Sequence, residues 1–301
     1  MIVRVRTPLL GPASSARSRG AVRRVRNTLF PITPHLRDPG DNDMRIRRLV
    51  SAVVLVVSAS AIEAKDPLPM EKLVYEDARG KKLPYRLLKP LAIEDGKKYP
   101  LVIFLHGAGE RGTDNEKQLI HAVPQFAAEE NRKKYPCFLI APQCPEGKRW
   151  VEVDWGSDSH VQPKEPGEAG RLTLELIDKL MKELPIDPDR IYLTGLSMGG
   201  FGTWDLMARR PELFAATAPV CGGADESTAE KIKHIPVWVF HGAKDTAVKP
   251  ARSRNIVAAL EKAGGKPKYT EYPDVGHNSW DNAYRDPKLF EWMFGQRKTA
   301  R

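Results

Sequence analysis

From residue 101 onward, short purely apolar runs alternate with longer stretches whose apolar positions recur every three or four residues. Leu101-Val102-Ile103-Phe104-Leu105 is the clearest run, and residues 138–141, 191–194, 215–220 and 236–240 repeat it. A run without polar alternation suits a strand buried on both faces. Between the runs, Leu172, Leu176, Ile177, Leu180, Met181 and Leu184 form one stripe, which predicts a helix over residues 169–184 stopped by Pro185. A second helix is expected over residues 251–263, closed by Gly264-Gly265. Nearer the N-terminus, residues 71–77 and 83–88 read as two strands joined by the hairpin signal Ala78-Arg79-Gly80-Lys81. Buried strands alternating with amphipathic helices predict an α/β fold. Its central sheet is mostly parallel, flanked by helices on both faces, with the N-terminal strands antiparallel. Residues 143–167, rich in Trp, Asp, Pro and Gly, have no period of either kind; so long a stretch is expected to be functional or disordered.

The first sixty residues break this pattern. Residues 1–43 hold eight Arg and no sustained apolar period, and read as an extension that is disordered or lies upstream of the true start. Met44-Arg45-Ile46-Arg47-Arg48 then leads into the apolar stretch 49–57 and the small residues Ala59-Ser60-Ala61. A basic start, a short apolar core and a small-residue end form a secretory signal peptide over 44–64, cut after Ala61 or Ala64. The apolar core is too short to stay as a membrane span. An extended twin-arginine leader, on Arg23-Arg24, is the alternative. Residues 65–301 are then expected to be a single catalytic domain, secreted or periplasmic, with no stable membrane association once the signal is removed.

This division changes the meaning of the charge. Of the formal net charge of +10, residues 1–43 carry +5 and residues 44–64 carry +2, leaving +3 on residues 65–301. No basic stripe interleaved with aromatics appears, so nucleic acid is not an expected partner. The three cysteines, Cys137, Cys144 and Cys221, are an odd number, and no disulfide framework is expected.

Chemistry enters with Gly195-Leu196-Ser197-Met198-Gly199, placed where an apolar strand hands over to a helix. A serine on such a sharp turn needs neighbours without Cβ atoms, and the turn sets the next N–H beside the hydroxyl. A hydroxyl becomes nucleophilic when an imidazole takes its proton and a carboxylate fixes the imidazole's tautomer. Beyond Ser197, Asp245 follows the strand 236–240, and His277 is the histidine left after it. The separations, 48 residues from Ser197 to Asp245 and 32 from Asp245 to His277, each leave room for a helix and a strand. Ser197, Asp245 and His277 are therefore the catalytic candidates. His241 and His234 precede the acid and are set aside. The loop His106-Gly107-Ala108-Gly109-Glu110-Arg111-Gly112 should complete an oxyanion hole, with the N–H groups of Ala108 and Met198 as donors and His106 as a brace. Glu110 and Arg111 are expected to form an exposed ion pair.

These residues resemble the α/β-hydrolase superfamily: Leu105–Gly109, Gly195–Gly199, His241–Asp245 and Gly276–Trp280 carry the likeness. More narrowly, they are similar to secreted esterases of the dienelactone-hydrolase, feruloyl-esterase and polyhydroxybutyrate-depolymerase group, and to the prolyl-oligopeptidase catalytic domain. The resemblance covers residues 70–296 and implies a cofactor-free serine hydrolase acting on short-acyl or aromatic esters, small or polymer-linked. Two departures from the pattern are expected: no β-propeller to filter peptides, and no helical cap after the nucleophile. Trp150, Trp155 and Trp280 are the substrate-binding candidates, since aromatic faces suit phenolic or sugar rings. No His-Glu-x-x-His or other ligand spacing supports a metal. A serine peptidase acting on short peptides, gripping termini through Glu110 and Arg111, is the rival reading. A non-catalytic binding module on the same fold is the other. The oligomeric state is not written in the sequence.

Overall fold

The computed structural model describes residues 68–298. The expected extension over 1–43 and the expected signal peptide over 44–64 lie outside the described residues. Eight strands make one sheet: β1 (Met70–Glu76), β2 (Lys82–Leu88), β3 (Tyr99–Leu105), β4 (Phe138–Pro142), β5 (Ile186–Leu196), β6 (Ala216–Val220), β7 (Trp238–Gly242) and β8 (Lys268–Tyr272). Their spatial order is β1-β2-β4-β3-β5-β6-β7-β8. β1 and β2 pair antiparallel, as does β2 with β4; every later pairing is parallel. The helices are α1 (Val123–Ala127), α2 (Glu129–Lys134), α3 (Glu168–Glu183), α4 (Met198–Arg209), α5 (Ala229–Ile232), α6 (Ala251–Lys262), α7 (Trp280–Arg285) and α8 (Pro287–Phe294). The mostly parallel α/β architecture is the one the apolar pattern predicts.

Each apolar run feeds two cores, because successive side chains on a strand point to opposite faces. Leu101, Ile103 and Leu105 of β3 join Leu172, Leu176, Ile177 and Leu180 of α3 on one face. Val102 and Phe104 join Phe290 and Met293 of α8 on the other. The same alternation holds in β7, where Val239 faces the first core and Trp238 and Phe240 the second. The hairpin is closed at Asp77, whose carboxylate accepts the N–H groups of Arg79 (2.8 Å) and Lys81 (2.9 Å).

Two elements differ from expectation. β8 has no apolar run, because it is the sheet's outer edge and every residue from Tyr269 to Tyr272 is only half-buried. β5 begins five residues before the expected strand, since its polar start lies at the sheet's amino end and still pairs Ile186 with Tyr99. Residues 143–167 contain no strand and, before α3, no helix, yet they are tied down throughout. Gln143 accepts the Asn115 N–H at 2.6 Å, Arg252 donates to the Ser157 carbonyl at 2.8 Å, and Gln162 reaches Asp205 at 2.9 Å. The stretch is a strap that polar side chains hold to the surface. All three cysteines are free and buried.

Candidate active site

β5 ends at Leu196 and α4 starts at Met198, leaving Ser197 alone on the turn with φ 52° and ψ −118°. A non-glycine residue in that region is strained by roughly 1–3 kcal/mol, which the surroundings must hold in place. They do so from both sides. The Ser197 N–H donates to the Val220 carbonyl at the end of β6, at 2.9 Å. A Cβ at Gly199 would lie 2.0 Å from the Leu105 carbonyl oxygen, so only glycine lets α4 start against the end of β3.

Three loops past the carboxyl ends of β5, β7 and β8 bring the sequence candidates together. His277 Nε2 lies 2.9 Å from Ser197 Oγ, and His277 Nδ1 lies 2.7 Å from Asp245 Oδ2. Asp245 is buried, and its Oδ1 accepts the N–H groups of Ala247 (2.8 Å) and Val248 (2.9 Å). Burial alone would raise its carboxyl. Hydrogen bonds from His241, His277 and the Val248 N–H outweigh that and hold it well below the usual carboxylate range. Asp245 is therefore charged and can fix the Nδ1–H tautomer of His277, leaving Nε2 to face the serine.

His241 is the residue that sequence reasoning set aside and the fold brings back. It is fully buried, with Nε2 at 3.2 Å from Asp245 Oδ2 and 3.0 Å from the Val248 carbonyl. Both neighbours are acceptors, so Nε2 carries the proton and Nδ1 accepts from Ser253 Oγ at 2.7 Å. Its signal was present: His241 stands four residues before Asp245 across a tight turn, a spacing that returns the ring to the carboxylate.

Met198 supplies the first N–H of α4, and Ala108 opens a short helical turn over Ala108–Glu110. First N–H groups lack intrahelical acceptors and remain open to an external oxygen. Arg111 Nε donates to the Ala108 carbonyl at 2.8 Å and steadies that peptide. His106 braces the loop as expected. Burial pushes it down to about 4, it pairs Nδ1 with the Gly107 carbonyl at 2.6 Å, and its Nε2 accepts the Cys144 N–H at 2.9 Å.

Two expectations are corrected. Trp150 is completely buried: its indole N–H donates to the His106 carbonyl at 2.9 Å, and its ring lies against α4 where Gly202 leaves space. It supports the loop from beneath and cannot face a substrate. Glu110 and Arg111 form no ion pair with each other; Glu110 is buried and faces His121 Nε2 at 3.5 Å, while Arg111 is spent on backbone carbonyls. Trp155 is half-buried, with the Arg149 guanidinium 4.2 Å over its ring. Trp280 is half-buried beside the site, its ring edge-on to His277 at 5.3 Å between centroids. Among the described residues, one group of metal-ligand type stands together, Cys221 with Asp245 and His277. Burial pushes the Cys221 thiol up, and the other two are already paired with each other.

Residues 91–290 match the family described as Phospholipase/Carboxylesterase. The chain belongs to that family. Among curated relatives, poly(3-hydroxyalkanoate) depolymerase C of Paucimonas lemoignei is 30% identical over 125 residues, 41% of this chain and 28% of that protein. A probable carboxylesterase SOBER1-like of Arabidopsis thaliana is 24% identical over 194 residues, covering 59% of this chain and 72% of its own length. Among solved structures, a thermostable esterase superposes with a TM-score of 0.71 at 41% identity, over 76% of this chain and 63% of the other. The chain thus spans little more than a quarter of the depolymerase and under two thirds of the thermostable esterase. A ferulic acid esterase, at 16% identity and a TM-score of 0.55, shares the fold. Among the described residues, no helix is long and apolar enough to cross a membrane.

Proposed function

We propose that this protein is an exported serine carboxylesterase that cleaves short-acyl or aromatic esters. The observation that carries the reading is the unbroken contact chain Ser197 Oγ–His277 Nε2–His277 Nδ1–Asp245 Oδ2, at 2.9 and 2.7 Å. Ser197 Oγ attacks the ester carbonyl and passes its proton to His277 Nε2, while Asp245 stabilises the imidazolium that forms. The Met198 and Ala108 N–H groups receive the oxyanion. The bond from the carbonyl carbon to the alkoxy oxygen then breaks, and His277 returns the proton to the departing alcohol. A water, deprotonated by His277, attacks the acyl-serine; its proton passes back to Ser197 Oγ as the acid leaves. Family membership, the thermostable esterase and the carboxylesterase relatives support an ester substrate. A binding module would have no use for the strained serine or for a carboxylate saturated with donors.

The peptidase reading loses its footing in the site itself. Glu110 and Arg111, its candidates for gripping peptide termini, are both committed within the loop. Amide cleavage needs the departing nitrogen protonated in place, which demands a tighter clamp than an ester requires. Esters should therefore exceed anilides sharing the same acyl group by at least about 100-fold in kcat/KM, roughly 3 kcal/mol in barrier. Equal or higher values on the anilide would replace the esterase with a peptidase. Export through residues 44–64 is checked by N-terminal sequencing of the released protein, which should begin at Ile62 or Lys65. Peptides from residues 1–43 in the mature protein would contradict it.

A further inference from the structure

A second histidine–carboxylate pair stands on the other side of Trp280 from His277. His121 and Trp280 ring centroids are 5.2 Å apart, and Trp280 and His277 centroids are 5.3 Å apart. Glu110 lies behind His121, its Oε1 3.5 Å from His121 Nε2. The carboxylate is 8% exposed, and its Oε2 is buried without a hydrogen-bond partner. It sits under the oxyanion loop, where a Cβ on Gly107 would come within 3.0 Å of that same oxygen. Burial raises the Glu110 carboxyl, but the His121 contact outweighs it and holds the group below its usual value. The charged carboxylate therefore takes the His121 Nε2–H. That leaves Nδ1 as an acceptor, with no partner among the described residues.

His121 opens onto a cavity of about 180 Å³, whose walls include Ile120, Gln125, Trp280, Asp281 and Arg285. This is well below the roughly 300–1,000 Å³ of sites for drug-sized ligands, and leaves room for one small ring. The leaving oxygen must lie within reach of His277 Nε2, so the alcohol half of the ester departs on the histidine's side of Ser197. Trp280, which touches His277, is the first surface it meets there. The walls then pair an aromatic ring with an imidazole acceptor, an amide and charges of both signs. An alkyl or phenyl alcohol would strand those polar groups; a ring carrying several hydroxyls satisfies them.

We propose that this cavity receives the alcohol half of the ester, that the alcohol is a sugar ring, and that His121 selects it by accepting a hydrogen bond from a ring hydroxyl over Trp280. The inference rests on the esterase reading and adds the identity of the leaving group. It is tested with two esters sharing one acyl group, one on methanol and one on a pentose or hexose hydroxyl. The intact protein should favour the sugar ester at least tenfold in kcat/KM. His121→Ala should lower the ratio of sugar-ester to methyl-ester kcat/KM at least tenfold, and His121→Gln, which keeps an acceptor, should retain most of it. A starting ratio of one or less overturns the proposal, as does an unchanged ratio in His121→Ala. Either result leaves hydrolysis of the methyl ester as an independent sign that the esterase reading stands. Loss of both esters with Ser197 intact would instead strike at that reading.

Discussion

Two histidine–carboxylate pairs flank Trp280, and they differ in how completely the carboxylate is satisfied. Asp245 has His277 and His241 on Oδ2 and two backbone N–H groups on Oδ1. Glu110 has one imidazole at 3.5 Å and a bare buried oxygen. A saturated carboxylate is locked in both position and charge, as a group that must hold an imidazole through a reaction needs to be. The half-satisfied one positions its histidine more loosely and leaves that ring's far nitrogen open. The first pair suits moving a proton, the second suits recognising a hydroxyl.

Neutralising each carboxylate in turn is the strongest way to break this comparison. Asp245→Asn should lower kcat by about 10³- to 10⁴-fold on any ester, because the amide no longer enforces the working tautomer of His277. Glu110→Gln should cost less than about tenfold on a methyl ester. Comparable losses would show that the two pairs are not doing different jobs. His241→Leu comes next: it removes one donor from Asp245 and strands Ser253, so kcat should fall by about tenfold and stability by about 1–3 kcal/mol. An unchanged kcat would mean that the Ala247 and Val248 N–H groups suffice.

The central layout was readable from residues because each of its parts leaves a separate mark. Apolar runs record burial on both faces, and the order Ser197, Asp245, His277 records three successive strand ends. Where burial is partial the record fades, as in β8, whose alternation of Tyr269 and Tyr272 with Lys268 and Glu271 looks like a surface loop. Tryptophan is ambiguous for another reason. Its size suits a binding face or a core position equally, and the packing of Trp150 against α4 is decided by Gly202, fifty-two residues away. The Glu110–His121 contact joins a turn to a residue eleven positions on, with no regular element between them to set a period.

The smallest effect concerns stability rather than rate, and it probes the brace under the oxyanion loop. Burial holds His106 at about 4, against 6.5 for an ordinary histidine. Between those values the unfolded chain binds a proton that the folded chain refuses. This contribution is therefore complete above pH 6.5 and is lost as pH falls toward 4, on the order of 3 kcal/mol across the window. His160, also lowered to about 4 first by burial and then by Arg252, adds to the same slope. Denaturant midpoints at pH 7, 5.5 and 4 should fall in that order, and His106→Asn should flatten part of the decline. An unaltered slope in that variant would remove His106 as its source.

The most direct test of the account is the bond to Ser197. Rapid acid quenching during turnover of an activated aryl ester, followed by intact-mass and peptide mapping, should find one acyl group per chain on Ser197. The adduct should be missing in Ser197→Ala, with turnover down by at least about 10³-fold. Rapid turnover with no acyl group on Ser197, or near-normal turnover in Ser197→Ala, would contradict it.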